Sequence, residues 1–286
     1  MTIPSSHYVT VNGFELHYVE WGHASKPPLI LWHGFARTCR DFDDLAHALA
    51  GDWHIFAPDT IGRGLSQWSS APERDYTNDN LVNLAAGFLN GLGLETVDWI
   101  GTSMGGGIAI RAAAGPLKGR IKRLVLNDIG PKINEAAVQR IRSYAGEPPS
   151  FERVSELEAF YRLVYMQFGY LTDAQWRCLT ETSARRLPSG RITTHYDPKI
   201  ILHFNDIPAD YEPWRDWDNL DCEILCLRGE ESDLLLASDA EEMTRRGPGC
   251  KLVTIKGCGH APALNVPEQI DVVSDFLKNG QNNAAA

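Results

Sequence analysis

Gly101-Thr102-Ser103-Met104-Gly105 decides how this chain is read. Val97 to Ile100, just upstream, reads as a strand, and Met104 to Ala114, just downstream, reads as a helix. A serine between them sits on a sharp strand-to-helix turn in a strained backbone conformation, so its neighbours must be very small. Gly101 and Gly105 provide that space, and Gly106 and Gly107 are expected to let the helix approach the sheet closely. The turn lifts the Ser103 hydroxyl to the carboxyl ends of the strands, where parallel α/β sheets bind ligands. The Met104 N–H, at the helix start, points toward any oxyanion formed beside Ser103. A second donor is expected from the loop after the strand Leu29 to Trp32, with the N–H of Phe35 in His33-Gly34-Phe35 as the candidate. No G-x-G-x-x-G follows the first strand of the alternating region and no G-K-[ST] ends the turn, which argues against dinucleotide and phosphate loops.

Working outward, strands and helices alternate. Tyr8 to Val19 reads as a hairpin turning at Asn12-Gly13. Helices follow at Asp41 to Ala50 and Asn78 to Leu92, the second with Leu81, Leu84, Ala85, Phe88 and Leu92 on one face. Strands are expected at Pro28 to Trp32, His54 to Ala57, Ile121 to Leu126, Ile224 to Leu227 and Lys251 to Ile255, with helices near Ser238 to Thr244 and Glu268 to Leu277. Such alternation gives a mainly parallel sheet, of the eight-stranded type, with helices on both faces. Between Pro131 and Asp218 helical stripes follow one another with little strand signal, as in Val154 to Phe168 and Thr172 to Arg185. The expected organisation is a core of residues 1–130 and 219–286 with a helical cap, 131–218, inserted between strands 6 and 7.

A serine hydroxyl is a poor nucleophile until a base takes its proton, and histidine suits neutral pH. His260 is the candidate, because Gly257-Cys258-Gly259-His260 follows the last strand and can lay the ring beside Ser103. His33 fits better as a brace for its own loop. His195 and His203 fall in the cap, where they could touch substrate. For the carboxylate, Asp233 lies beyond the strand Ile224 to Leu227, and the order Ser103, Asp233, His260 suits this kind of sheet. Asp128, directly after the strand ending at Leu126, is the rival, and Glu230 and Glu231 are near misses.

The chain has 286 residues, 43% of them hydrophobic, which is enough for a sizeable core. Its formal charge of −10 argues against nucleic acid and weakly against anionic substrates. Apolar runs are strand-sized, so no membrane span is expected, and Met1 to Val9 lacks the pattern of a secretory signal. Cys39, Cys178, Cys222, Cys226, Cys250 and Cys258 form no C-x-x-C pair and read as buried reduced thiols of a cytoplasmic protein. No HExxH or similar ligand cluster occurs, and neither metal nor cofactor is expected. The tail Asn279 to Ala286 reads as frayed. A monomer and a homodimer both remain open.

These residues resemble the α/β-hydrolase superfamily, in particular its bacterial serine esterase-like members with a helical cap. The resemblance spans His33-Gly34-Phe35, the run Pro58 to Ser66, the turn at 101–105, Leu227 to Glu230, and Gly259-His260. It implies Ser103 as nucleophile, Asp233 as acid, His260 as base, and Phe35 and Met104 as oxyanion donors, with Asp59 and Ser66 structural. An aspartate at the turn, as in dehalogenases and epoxide hydrolases, is absent. So are the HGGG of hormone-sensitive-lipase-like members and the Gly-Pro-Gly typical of carbon–carbon hydrolases. The implied activity is hydrolysis of a small ester, with a short- to medium-chain acyl group, an aryl ester or a lactone, through an acyl-enzyme. Carbon–carbon hydrolysis and cofactor-free haloperoxidation share the same triad, and a non-catalytic receptor shares the fold. Cap aromatics such as Tyr144, Phe160, Tyr161, Tyr165, Phe168, Trp176, Tyr211, Trp214 and Trp217 read mostly as packing, with an apolar pocket beneath them.

Overall fold

The computed structural model describes residues 3–205 and 212–284, so Tyr211 lies outside the described residues. β1 (Ser5–Val11) and β2 (Phe14–Trp21) form the expected hairpin, with Asn12 and Gly13 both at positive φ. That two-residue turn matches the twist of the strands it joins. Next come β3 (Pro28–Trp32), α1 (Asp43–Leu49), β4 (His54–Pro58), α2 (Pro72–Asp75) and α3 (Asn78–Gly91). β5 (Val97–Thr102), α4 (Met104–Ala114) and β6 (Ile121–Asn127) follow. The next stretch holds α5 (Glu135–Ala145), α6 (Val154–Val164), α7 (Asp173–Thr182), β7 (Ala184–Arg186), β8 (Ile192–Thr194) and α8 (Pro213–Asp218). β9 (Glu223–Gly229), α9 (Ala237–Arg245), β10 (Lys251–Ile255) and α10 (Pro267–Ala284) complete the chain.

Among the described residues eight strands form one sheet in the order β1-β2-β4-β3-β5-β6-β9-β10. β4 through β10 run parallel in that order, and β2 meets β4 antiparallel, so the hairpin makes one edge. Successive side chains of a strand point to opposite faces. Accordingly Ile30, Trp32, Trp99, Leu124 and Leu126 join α3, α4 and α9 in one apolar cluster. Leu29, Leu31, Ile100 and Val125 join α1 and α10 in another. The sheet therefore needs apolar residues in unbroken runs, which is how β3 reads.

Several boundaries differ from the sequence pattern. The stripe from Val154 breaks where α6 ends, and Met166–Phe168 forms a separate 3-10 turn closed by Gly169 at φ 94. Thr172 caps α7 through a reciprocal bond with Gln175. α7 stops at Thr182, and β7 pairs with β8 antiparallel, so the 131–218 stretch does contain strand. α10 extends as far as Ala284, through residues expected to fray. All six cysteines are free, but of those expected to be buried Cys178 is exposed and Cys250 only half-buried.

The glycines around Ser103 divide unequally. A Cβ at Gly105 would lie 2.1 Å from the Trp32 carbonyl oxygen, and one at Gly101 2.4 Å from the Gly106 nitrogen. At Gly106 it would meet the Ile129 side chain at 2.4 Å. Gly107 faces open space, contrary to its expected packing role. Gly105→Ala is therefore expected to cost ~1–3 kcal/mol or more through overpacking. Gly107→Ala, inside a helix with room for a methyl, should stabilise by about 0.5–1 kcal/mol. Urea unfolding of both variants reads the difference, and equal shifts would contradict the packing described.

Candidate active site

Ser103 takes φ 50 and ψ −117 between β5 and α4, a conformation that L residues rarely adopt and that lifts its side chain clear of the strand. The strain is held by backbone. Its N–H donates to the Asn127 carbonyl, and its own carbonyl accepts from Gly106 and Gly107. His260 arrives on the loop after β10, with its Nε2 2.9 Å from the Ser103 Oγ.

The carboxylate beside His260 is Asp128. Its Oδ2 lies 2.7 Å from the His260 Nδ1, and it also accepts from the Gly229 N–H at 2.8 Å and the Ser232 hydroxyl at 2.6 Å. Asp128 is fully buried at φ 56, a region that aspartate tolerates better than most residues. The expectation placing Asp233 against His260 is thus corrected. Asp233 is half-exposed and binds Arg140 of α5 at both oxygens, at 2.6 and 2.8 Å. Chain order could not separate the two aspartates, since both fall between 103 and 260. The sheet does: β6 lies directly beside β5, so a residue just past β6 emerges next to the elbow. The loop after β9 does reach the site, but through Ser232, which sequence reasoning passed over.

Phe35 and Met104 both line the space around Ser103. Met104 is the first residue of α4, where N–H groups have no partner inside the helix. Gly34 brings the loop close, since a Cβ there would sit 3.7 Å from the Ser103 Cβ. His33 braces that loop as expected. Its Nδ1 donates to the Gly34 carbonyl at 2.7 Å while its Nε2 accepts from the Thr60 N–H at 2.9 Å. One donating and one accepting nitrogen require a neutral ring, and burial lowers its pKa in the same direction. Arg63, also fully buried, donates to the Phe35 carbonyl at 3.0 Å and has its NH2 3.5 Å from the Met104 sulfur. Burial pulls the Arg63 pKa down to about 10.

The stretch Asp59 to Ser66 is structural, as its resemblance implied. Asp59 accepts from His17, from the Cys39 N–H and from the Leu65 N–H, and the Ser66 hydroxyl donates to the Asp59 carbonyl. His17, Cys39 and Asp59 could offer ligand atoms to an ion, yet His17 is held between Asp59 and the Ser6 hydroxyl. Among the described residues no side-chain hydrogen bond joins that cluster to Ser103.

Two cavities meet at Ser103. The larger, about 270 Å³, has His260, Phe35, Tyr144, Tyr165, Phe168 and Leu171 in its wall. The smaller, about 140 Å³, is bounded by Phe35, Met104, Ile108, Ile133, Ile141 and His203, without His260. The apolar pocket expected beneath the helical stretch is present. Of the aromatics there, Tyr161, Tyr165, Trp176 and Trp217 are buried.

Residues 29–271 match the model of the alpha/beta hydrolase family, and the chain belongs to that family and is a hydrolase. A 3-hydroxybutyrate-oligomer hydrolase of Cupriavidus necator is 36% identical over 273 residues, covering 91% of this chain and 92% of that protein. An N-formylmaleamate deformylase of Pseudomonas putida is 37% identical over 262 residues, covering 88% of each. Among solved structures, an alpha/beta hydrolase of Novosphingobium aromaticivorans shares 34% identity at a TM-score of 0.87, covering 97% of this chain and 99% of its own. Among the described residues no helix is long and apolar enough to cross a membrane.

Burial, with Arg63 and Arg111 adding to it, lowers the His203 pKa to about 3. An unfolded histidine titrates near ~6.5. Between those values the unfolded chain binds a proton that the folded chain does not, so stability falls as pH drops through that window. His203→Phe should therefore lose less stability than wild type between pH 7 and pH 5, by roughly 1–2 kcal/mol in urea melts. Equal losses would mean that the ring protonates in place.

Proposed function

We propose that the protein is a serine hydrolase of carboxylic esters, acting through an acyl-enzyme on Ser103. The observation that carries this reading is the continuous relay from the Ser103 hydroxyl to the His260 Nε2 at 2.9 Å, and from the His260 Nδ1 to Asp128 at 2.7 Å. As Ser103 bonds to the ester carbon its proton passes to the His260 Nε2. The amides of Phe35 and Met104 receive the oxyanion. His260 then protonates the leaving alkoxide as the carbon–oxygen bond breaks. Water repeats the sequence on the acyl-enzyme, losing a proton to His260 and returning Ser103 to its hydroxyl form. Asp128 keeps the Nδ1 protonated, so that Nε2 stays free to accept, and stabilises the imidazolium that forms. In this reading residues 131–218 are a cap over the site. The 3-hydroxybutyrate-oligomer hydrolase supports an ester substrate, since such oligomers are joined by ester bonds. The deformylase, at similar identity, favours a second reading in which the same groups expel nitrogen rather than oxygen.

A panel of p-nitrophenyl esters and the matching formamides distinguishes the two, with ester turnover expected. Turnover of formamides alone would favour the second. A fluorophosphonate should label Ser103, and label found on any other residue rejects the elbow. Asp128→Asn is expected to lower kcat by about 10³–10⁴-fold, because the amide favours the wrong imidazole tautomer. Asp233→Asn, which cuts only the tie to Arg140, should change kcat less than about tenfold. The reverse ranking of these two variants would restore Asp233 as the acid.

A further inference from the structure

The two cavities at Ser103 are not equivalent, and the difference rests on where His260 lies. In the tetrahedral adduct the reacting carbon carries four groups: the Ser103 oxygen, the oxyanion, the leaving oxygen and the acyl chain. The leaving oxygen must lie within hydrogen-bond reach of the His260 Nε2, since it takes its proton from there. Of the two cavities described, the one of about 270 Å³ includes His260 in its wall and the one of about 140 Å³ does not. The alcohol half of the substrate therefore belongs to the larger cavity and the acyl half to the smaller.

The smaller cavity also carries a polar group that the protein leaves unused. His203 packs against the rings of Phe35 and Phe204, and its Nδ1 is buried with no hydrogen-bond partner among the described residues. The other polar side chains of the wall are engaged. Arg111 pairs with Asp79, and Asn78 also has an interaction within the protein. A buried unpaired nitrogen costs roughly 1–3 kcal/mol unless a ligand satisfies the ring. An imidazole in an otherwise mostly apolar wall suits a hydroxyl, which can donate to it or accept from it.

Resting on the serine hydrolase reading of Ser103, we propose that the smaller cavity is the acyl site and that it selects a short, hydroxyl-bearing acyl group, read by His203. Such a site favours a hydroxyacyl ester over its plain acyl analogue, because only the former satisfies the ring.

Two experiments on the intact chain test the two halves. Methyl 3-hydroxybutanoate and methyl butanoate, followed by pH-stat, give a kcat/KM ratio expected to favour the hydroxy ester and to fall about tenfold in His203→Phe. A ratio near one in wild type, or one unchanged in the variant, overturns the role of His203. Methyl hexanoate and hexyl acetate, which carry a six-carbon chain on opposite sides of the ester, test the partition. Gly107→Val projects into the smaller cavity, where the glycine now leaves open space. It should cut kcat/KM for methyl hexanoate about tenfold more than for hexyl acetate. Ile133→Phe, from another part of the same wall, should act in the same direction if Gly107→Val folds poorly. Loss confined to hexyl acetate, or equal loss of both, overturns the partition. No ester turnover and no fluorophosphonate label on Ser103 would instead remove the reading on which the proposal rests.

Discussion

A carboxylate sealed from water must have its oxygens satisfied by the protein, because an unpaired buried charge costs several kcal/mol. Asp128 meets that demand by drawing together segments far apart in the chain. It stands at the end of β6, accepts from Gly229 at the end of β9 and Ser232 just beyond it, and accepts from His260 after β10. Moving any of these partners leaves a buried negative charge short of a donor. The imidazole beside Ser103 is therefore held by a group whose own burial enforces the geometry. Asn127, its neighbour, adds to this by donating to Thr102 and to the Pro262 carbonyl, so β5, β6 and the His260 loop are bound at one level.

Much of this fold was legible because its signals are local. The apolar run of β3, the Asn12-Gly13 turn and the stripe of α3 each carry their own pattern. Ser103 and the flanking Gly101 and Gly105 were readable for the same reason, since a strained turn demands small neighbours. His260 followed from its place after the last strand. The carboxylate was not legible, because the choice between Asp128 and Asp233 depends on which strands are neighbours in space. Both sit just beyond a strand, both suit the order of the chain, and only the β5-β6 adjacency separates them. Gly107 was misjudged for a related reason: a run of three glycines does not reveal which of them faces the sheet.

The stretch between β6 and β9 hid more. Its helices were visible as stripes, but β7 and β8 are three residues each, too short for alternation to register. The break after Val164 was equally hidden, since Met166 to Phe168 continues the apolar pattern while the backbone tightens into a 3-10 turn. What holds this stretch down is dispersed. Arg37 donates to Asp41 and Ser183 and lies over the ring of Tyr165, and Arg140 grips Asp233. The carboxylate expected to serve the reaction turns out to be a mooring point for α5.

That 3-10 turn is also where the cavity wall and the His260 loop become one mechanical unit. The Gln167 carbonyl accepts from Gly259, its side-chain oxygen accepts from the His260 N–H at 3.3 Å, and the Phe168 carbonyl accepts from Ala263. Phe168 meanwhile forms part of the wall of the larger cavity. Roof and imidazole are thus stitched along a common seam, and a displacement of this turn cannot be silent at the histidine. Whatever admits a bulky molecule to the cavity has to flex elsewhere, or else drag the imidazole out of place for as long as the door stands ajar.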